Sequence, residues 1–283
     1  MKQHISDKQL SKFFKEHNLA GAIHYHTTFR RRIRYITINN NCNSTLLFIH
    51  GSPASLIANE EYFTDPGLRQ AFNMIAVDRP GYGRSGYGDP EPSIKKQAEI
   101  VKEIIEECSI QRPFVVYAAS YGASIACRLL MDFPLIADGL VLVAPSLSPG
   151  EEKYFWITPL IEHSFIRKII PPHHRTSNTE KFYHKDELSK MLPYWKNIRV
   201  PVMYIQGEKD KMIYTTNAGF VRKNLLNVPS LEVNFIKGQK HVIDKKENPF
   251  IIKKILELFK QAGQLMTEGP NSNCHSPGRT NAY

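Results

Sequence analysis

The chain has 283 residues, 42% of them hydrophobic and 23% charged, which excludes a disordered or fibrous protein and supplies material for a core. No apolar run approaches the roughly 20 residues of a membrane-spanning helix. The formal charge of +10 invites anionic partners, but the positive residues are spread along the chain and no nucleic-acid motif frames the one cluster, Arg30–Arg34.

The charge therefore reads as surface decoration with no nucleic-acid partner, and peripheral contact with a membrane is left open. The opening residues Met1 to Asp7 are polar and lack the apolar stretch of a secretory signal, so the expected address is the cytoplasm. Cys42, Cys108, Cys127 and Cys274 show neither CxxC pairing nor a Cys/His spacing suited to zinc. Free thiols, no metal and no cofactor are expected.

In chain order, residues 23–28 and 33–38 form a candidate hairpin. Thr45–Ile49, Met74–Asp78, Phe114–Ala119 and Gly139–Ala144 follow as near-continuous apolar runs, the pattern of parallel strands buried on both faces. Helices are predicted near 60–72, 94–108 (with Ser93 as N-cap) and 121–132. Strands alternating with helices imply an α/β fold with right-handed crossovers.

After Pro145, roughly 55 residues pass before the next strand, Val200–Ile205, too many for an ordinary connection. The stretch holds Trp156, Trp195, Tyr154, Phe155, Leu160 and Phe165, among other apolar residues, and predicts short helices whose apolar faces turn down onto the rest. Leu231–Ile236 and a helix from Pro249 to Ala262 follow. The predicted divisions are a core over 1–146 and 200–262, a helical insert over 147–199 and a disordered tail over 263–283.

The strongest local signal is Val115-Val-Tyr-Ala-Ala-Ser120-Tyr-Gly122, a strand running through small residues into a helix. A serine at such a turn is lifted off the sheet, and the sharp path tolerates only small residues two places either side, here Ala118 and Gly122. The N–H of Tyr121 would then face a developing oxyanion. A hydroxyl needs a base, and the base an orienting acid. Asp210 in Gly207-Glu-Lys-Asp and His241 in Gly238-Gln-Lys-His each follow a late strand, with Glu208 the less favoured acid.

These segments resemble the α/β-hydrolase family, whose elbow is commonly Gly-x-Ser-x-Gly and whose chain order is Ser, Asp, His. Ala118 departs from the first glycine. The resemblance covers roughly residues 23–262. It implies an α/β-hydrolase fold, a mostly parallel sheet with an antiparallel N-terminal hairpin and a helical cap after strand 6. It makes Ser120, Asp210 and His241 the catalytic triad.

His50-Gly51-Ser52-Pro53 is similar to the family's His-Gly-x-Pro loop. The resemblance makes the N–H of Ser52 the second oxyanion donor, after that of Tyr121. It gives His50 a buttressing role and suits the Ser52–Pro53 bond to the cis form. Asp78-Arg-Pro-Gly-Tyr-Gly-Arg-Ser85 matches a family turn, with Asp78 and Arg79 holding the loop near the site.

The implied activity is hydrolysis of a carboxylic ester or related small acyl compound through an acyl-enzyme. Thioesterase and carbon–carbon bond hydrolase chemistry are the alternatives within the class, and a ligand-binding protein without catalysis is the alternative outside it. Nothing in the sequence sets the oligomeric state.

Overall fold

The computed structural model describes residues 4–163, 165 and 169–267. A helix comes first: α1 (Asp7–Glu16) opens with a capping box in which Ser6 Oγ accepts from the Gln9 N–H while Gln9 Oε1 accepts from the Ser6 N–H. Leu10 and Phe14, one turn apart, are its buried side. The hairpin β1 (Gly21–Thr28) and β2 (Arg31–Ile38) follows, then β3 (Thr45–Ile49), the short helices α2 (Glu60–Thr64) and α3 (Pro66–Ala71), and β4 (Asn73–Val77).

The alternation continues through α4 (Ile94–Glu107), capped by Ser93 Oγ accepting from the Lys96 N–H, β5 (Phe114–Ala119), α5 (Tyr121–Asp132) and β6 (Gly139–Val143). The insertion holds α6 (Thr158–His163), α7 (Pro172–Met191) and a 3₁₀ turn at Leu192–Asn197. The core resumes with β7 (Val202–Gly207), α8 (Thr216–Asn224), β8 (Leu231–Ile236) and α9 (Asn248–Thr267).

The eight strands form one sheet in the order β1-β2-β4-β3-β5-β6-β7-β8. β1 pairs β2, and β2 pairs β4, antiparallel; every later pairing is parallel. This is the α/β-hydrolase architecture the sequence implies. β3, β5 and β6 are buried at every or nearly every residue, as strands covered on both faces must be. One face packs on α4, α5 and α8 through residues such as Ile104, Leu129 and Val221. The other packs on α1 to α3 and α9 through Leu10, Phe63, Leu68 and Ile255.

The insertion departs from the expectation of short helices with apolar faces turned inward. α7 is 20 residues long, and the side it buries is largely polar: Thr176, Thr179, Glu180 and His184 precede Leu188 and Met191. Trp195 is buried against Phe220, whereas Trp156, Leu160 and Phe165 are exposed. α9 runs on to Thr267, into the stretch read as tail; residues 268–283, with Cys274, lie outside the described residues. Arg34 also differs from expectation: it is fully buried, its Nε donating to Asp78 Oδ2 at 2.8 Å and its Nη1 to Asp7 Oδ1 at 2.8 Å.

Leu10 is fully buried in the cluster that seats α1 on the sheet. Leu10→Ala should lower unfolding free energy by about 2–5 kcal/mol, read from the midpoint of urea denaturation; a shift below about 0.5 kcal/mol would show α1 to be dispensable.

Candidate active site

Ser120 stands between the end of β5 and the first turn of α5 with φ 50° and ψ −120°. A non-glycine residue held there costs on the order of 1–3 kcal/mol and persists only where its surroundings fix it. They do so at close range. A Cβ on Gly122 would stand 2.5 Å from the His50 carbonyl oxygen and 2.6 Å from that of Ile49, so the start of α5 lies directly on the end of β3. A Cβ on Gly51 would stand 3.0 Å from Ser120 Cβ. Glycine at both positions lets the His50–Pro53 loop and the elbow share one corner, and the Ser52–Pro53 bond is cis. Ala118, where the family carries glycine, is fully buried and fits without displacing the strand.

The loop after β7 carries Asp210 and the loop after β8 carries His241. They meet backbone to backbone at Gly207, where a Cβ would lie 2.4 Å from the Lys240 carbonyl oxygen and 2.5 Å from that of Gln239. The Lys209 N–H donates to the Gln239 carbonyl at 2.8 Å. Asp210 Oδ1 accepts from the N–H groups of Met212 and Ile213, both at 2.9 Å, and Oδ2 accepts from His241 Nδ1 at 2.8 Å. That bond puts the His241 proton on Nδ1 and leaves Nε2, 3.1 Å from Ser120 Oγ, to accept.

Burial alone would raise the Asp210 carboxyl, but the hydrogen bond and charge of His241, with the two backbone donors, outweigh it and hold it below the ordinary value. Glu208 is exposed and accepts from the Gly238 N–H, away from His241.

His50 is buried and its burial, beside the Arg79 cation, keeps the imidazole well below its ordinary value. Its Nε2 accepts from the Arg79 N–H at 3.0 Å and its Nδ1 donates to the Gly51 carbonyl at 2.7 Å. Asp78 is equally buried: its carboxylate accepts from the N–H groups of Leu56 and Arg84 as well as from Arg34. A Cβ on Gly83, at φ +51°, would overlap that carboxylate, which accounts for the glycine in the turn.

Arg79 is the junction of these loops. Its Nε donates to the His50 carbonyl and its Nη2 to the Gly51 carbonyl, both at 2.9 Å. Its Nη1 donates to Gln97 Oε1 at 3.0 Å and to Glu180 Oε1 at 2.5 Å. Glu180 also accepts from the Tyr82 hydroxyl at 2.7 Å, and that hydroxyl lies 2.6 Å from Ser52 Oγ. No sequence pattern marks Glu180, since it sits among polar residues of α7 and its partner lies 101 positions away.

A cavity of about 670 Å³ opens over Ser120 and His241. Phe155, Ile157, Ile161, Ile170, Met212 and Ile213 give it a mainly apolar wall. A polar cluster also borders it. Glu152 Oε1 accepts from His184 Nδ1 at 3.0 Å, and its Oε2 lies 2.9 Å from Lys181 Nζ and accepts from Ser146 Oγ at 3.0 Å. Burial would raise Glu152, yet His184 and Lys181 together hold it down to about 2. The same burial lowers Lys181 against the attraction of Glu152. The sequence reading missed this cluster, whose members are split between the start of the insertion and the middle of α7. Among the described residues no group of three His, Cys, Asp or Glu side chains converges to hold a metal ion.

Comparisons with known proteins bear on the fold. The model of a family described as the alpha/beta hydrolase fold matches residues 44–160. The chain is similar to the peroxisomal alpha-beta-hydrolase of Saccharomyces cerevisiae, with a TM-score of 0.68, 15% identity and 93% of each chain covered. It is similar to a bacterial membrane phospholipase A, with a TM-score of 0.67, 17% identity and 90% of each chain covered. Over 130 residues it is 30% identical to the dihydrolipoyllysine-residue acetyltransferase component of the acetoin cleaving system of Cupriavidus necator. That match takes in 46% of this chain and 34% of that protein, so it spans about a third of the relative's length. The protein has the α/β-hydrolase fold.

Two outcomes follow from the buried charges. Glu180→Ala leaves Arg79 buried without its carboxylate and should cost about 3–5 kcal/mol in chemical denaturation; an unchanged midpoint would remove Arg79–Glu180 from the account. Glu152 is depressed from its ordinary 4.5 to about 2, so the stability it contributes is present above about pH 4.5 and lost as pH falls toward 2. Glu152→Gln should flatten the stability–pH curve over that window, and a curve of unchanged slope would contradict the assignment.

Proposed function

We propose that the protein is a serine hydrolase that cleaves a carboxylic ester or a closely related acyl compound. The observation that carries this reading is the relay Asp210–His241–Ser120 at the floor of a mainly apolar cavity, with hydrogen bonds of 2.8 and 3.1 Å.

In the first step, Ser120 Oγ attacks the carbonyl carbon while its proton passes to His241 Nε2. Asp210 holds the proton on Nδ1 and stabilises the imidazolium. The N–H groups of Ser52 and Tyr121 receive the oxyanion, Tyr121 from the first turn of α5. His241 then returns the proton to the departing alcohol oxygen, leaving Ser120 acylated. Water enters, gives a proton to His241 and attacks the acyl carbon; the carboxylic acid leaves and Ser120 Oγ takes back its proton. The apolar wall suits an acyl or alcohol group with hydrocarbon character, and neither half of the cycle needs a redox partner.

A panel of p-nitrophenyl esters and acyl-thioesters of increasing chain length tests the reading and sorts ester from thioester. Ser120→Ala should lower kcat by about 10⁶ on the preferred substrate and Asp210→Asn by about 10⁴. A Ser120→Ala protein that turns over the panel at the parent rate would exclude Ser120 as nucleophile.

A further inference from the structure

The start of the insertion turns large apolar side chains outward. Trp156 is 80% exposed and Ile169 73%, and Tyr154 and Leu160 are also exposed. A monomeric protein in water seldom leaves so many together. The patch is joined to the catalytic cavity: Phe155 and Ile157, on either side of Trp156, line the cavity and are themselves partly exposed.

The opposite lip continues it. Met212, two residues from Asp210, lines the cavity and is exposed, and Val242, next to His241, is 65% exposed. The Lys153 N–H donates to the Met212 carbonyl at 2.7 Å, which holds the two lips together.

The charge around this rim is basic. Lys153 stands at the start of the stretch up to Pro171, whose one acid, Glu162, is buried. Lys153 Nζ sits 5.2 Å from the centre of the Phe155 ring, and Lys211 and Lys240, adjoining Met212 and His241, are exposed. Indole and phenol rings favour the headgroup layer of a bilayer, and lysines beside them gain from anionic lipid.

We propose that the rim of the cavity docks the protein on an anionic lipid surface, with Trp156 and Ile169 entering the headgroup layer and the cavity mouth facing the bilayer. The docking does not depend on the hydrolytic reading. The full chain, as parent and as Ser120→Ala, is to be sedimented with phosphatidylcholine vesicles with and without phosphatidylserine. Both proteins should pellet with the phosphatidylserine vesicles and weaken as salt rises, so a failure of catalysis and a failure of docking are read apart.

Lys153→Gln should weaken that binding on the order of fivefold. Trp156→Glu combined with Ile169→Glu should stay in the supernatant while hydrolysing soluble p-nitrophenyl acetate like the parent. Folded parent protein that stays in the supernatant, or partitions equally onto both vesicles, would overturn the proposal. So would light scattering that shows a lipid-free dimer which the double substitution converts to monomer, because the patch would then be covered by a second copy.

Discussion

Arg79 is the contact on which the site depends. Its guanidinium binds the carbonyls of His50 and Gly51, the side chain of Gln97 on α4 and the carboxylate of Glu180 on α7. One buried cation thus ties the loop beside Ser120 to the core beneath and to the insertion above. The aromatic rings of Tyr82 and Tyr121 flank it at 4.8 and 4.9 Å, close enough for cation–π attraction. Such a cation is tolerable in a low-dielectric interior only because its donors are used and its charge is matched. The second buried pair, Arg34–Asp78, stands beside it on the neighbouring strand and holds the turn that carries Arg79.

The strained elbow belongs to the same construction. Ser120 stays at φ 50° because Gly122 allows α5 to start directly on the carbonyls of Ile49 and His50, and Arg79 keeps the His50 carbonyl in place. Strain at Ser120, glycine at 122 and the arginine under the loop are three parts of one constraint. Gly207 repeats the device on the other side, where it lets the Asp210 and His241 loops touch and holds the imidazole against the carboxylate.

Much of this was legible in the sequence because its signals are local. Thr45–Ile49, Phe114–Ala119 and Leu231–Ile236 stand where their apolar runs predict, and Ser120, Asp210 and His241 follow strand ends that the sheet brings together. What was missed depends on partners far apart in the chain or on patterns that imitate something else. α7 buries Thr176, Glu180 and His184, so it lacks the apolar stripe by which helices are recognised. Arg34 lies in a run of arginines that reads as solvated, yet Asp78 and Asp7 converge on it in three dimensions. α1 has a local signal, the Ser6–Gln9 capping box before Leu10, but it lies in a polar stretch with no sustained apolar stripe.

The chemistry and its setting divide between the two parts of the molecule. The sheet and its loops position Ser120, His241 and the corner at Gly51, while the insertion supplies most of the apolar wall, Glu152, Lys181 and His184 of the polar cluster, and one lip of the rim. Whether His241 and Asp210 activate Ser120 is read from mass spectrometry of protein treated with a fluorophosphonate. One adduct is expected, on the peptide containing Ser120, formed far more slowly in His241→Ala. Folded protein that takes no adduct, or takes it on another residue, would contradict it.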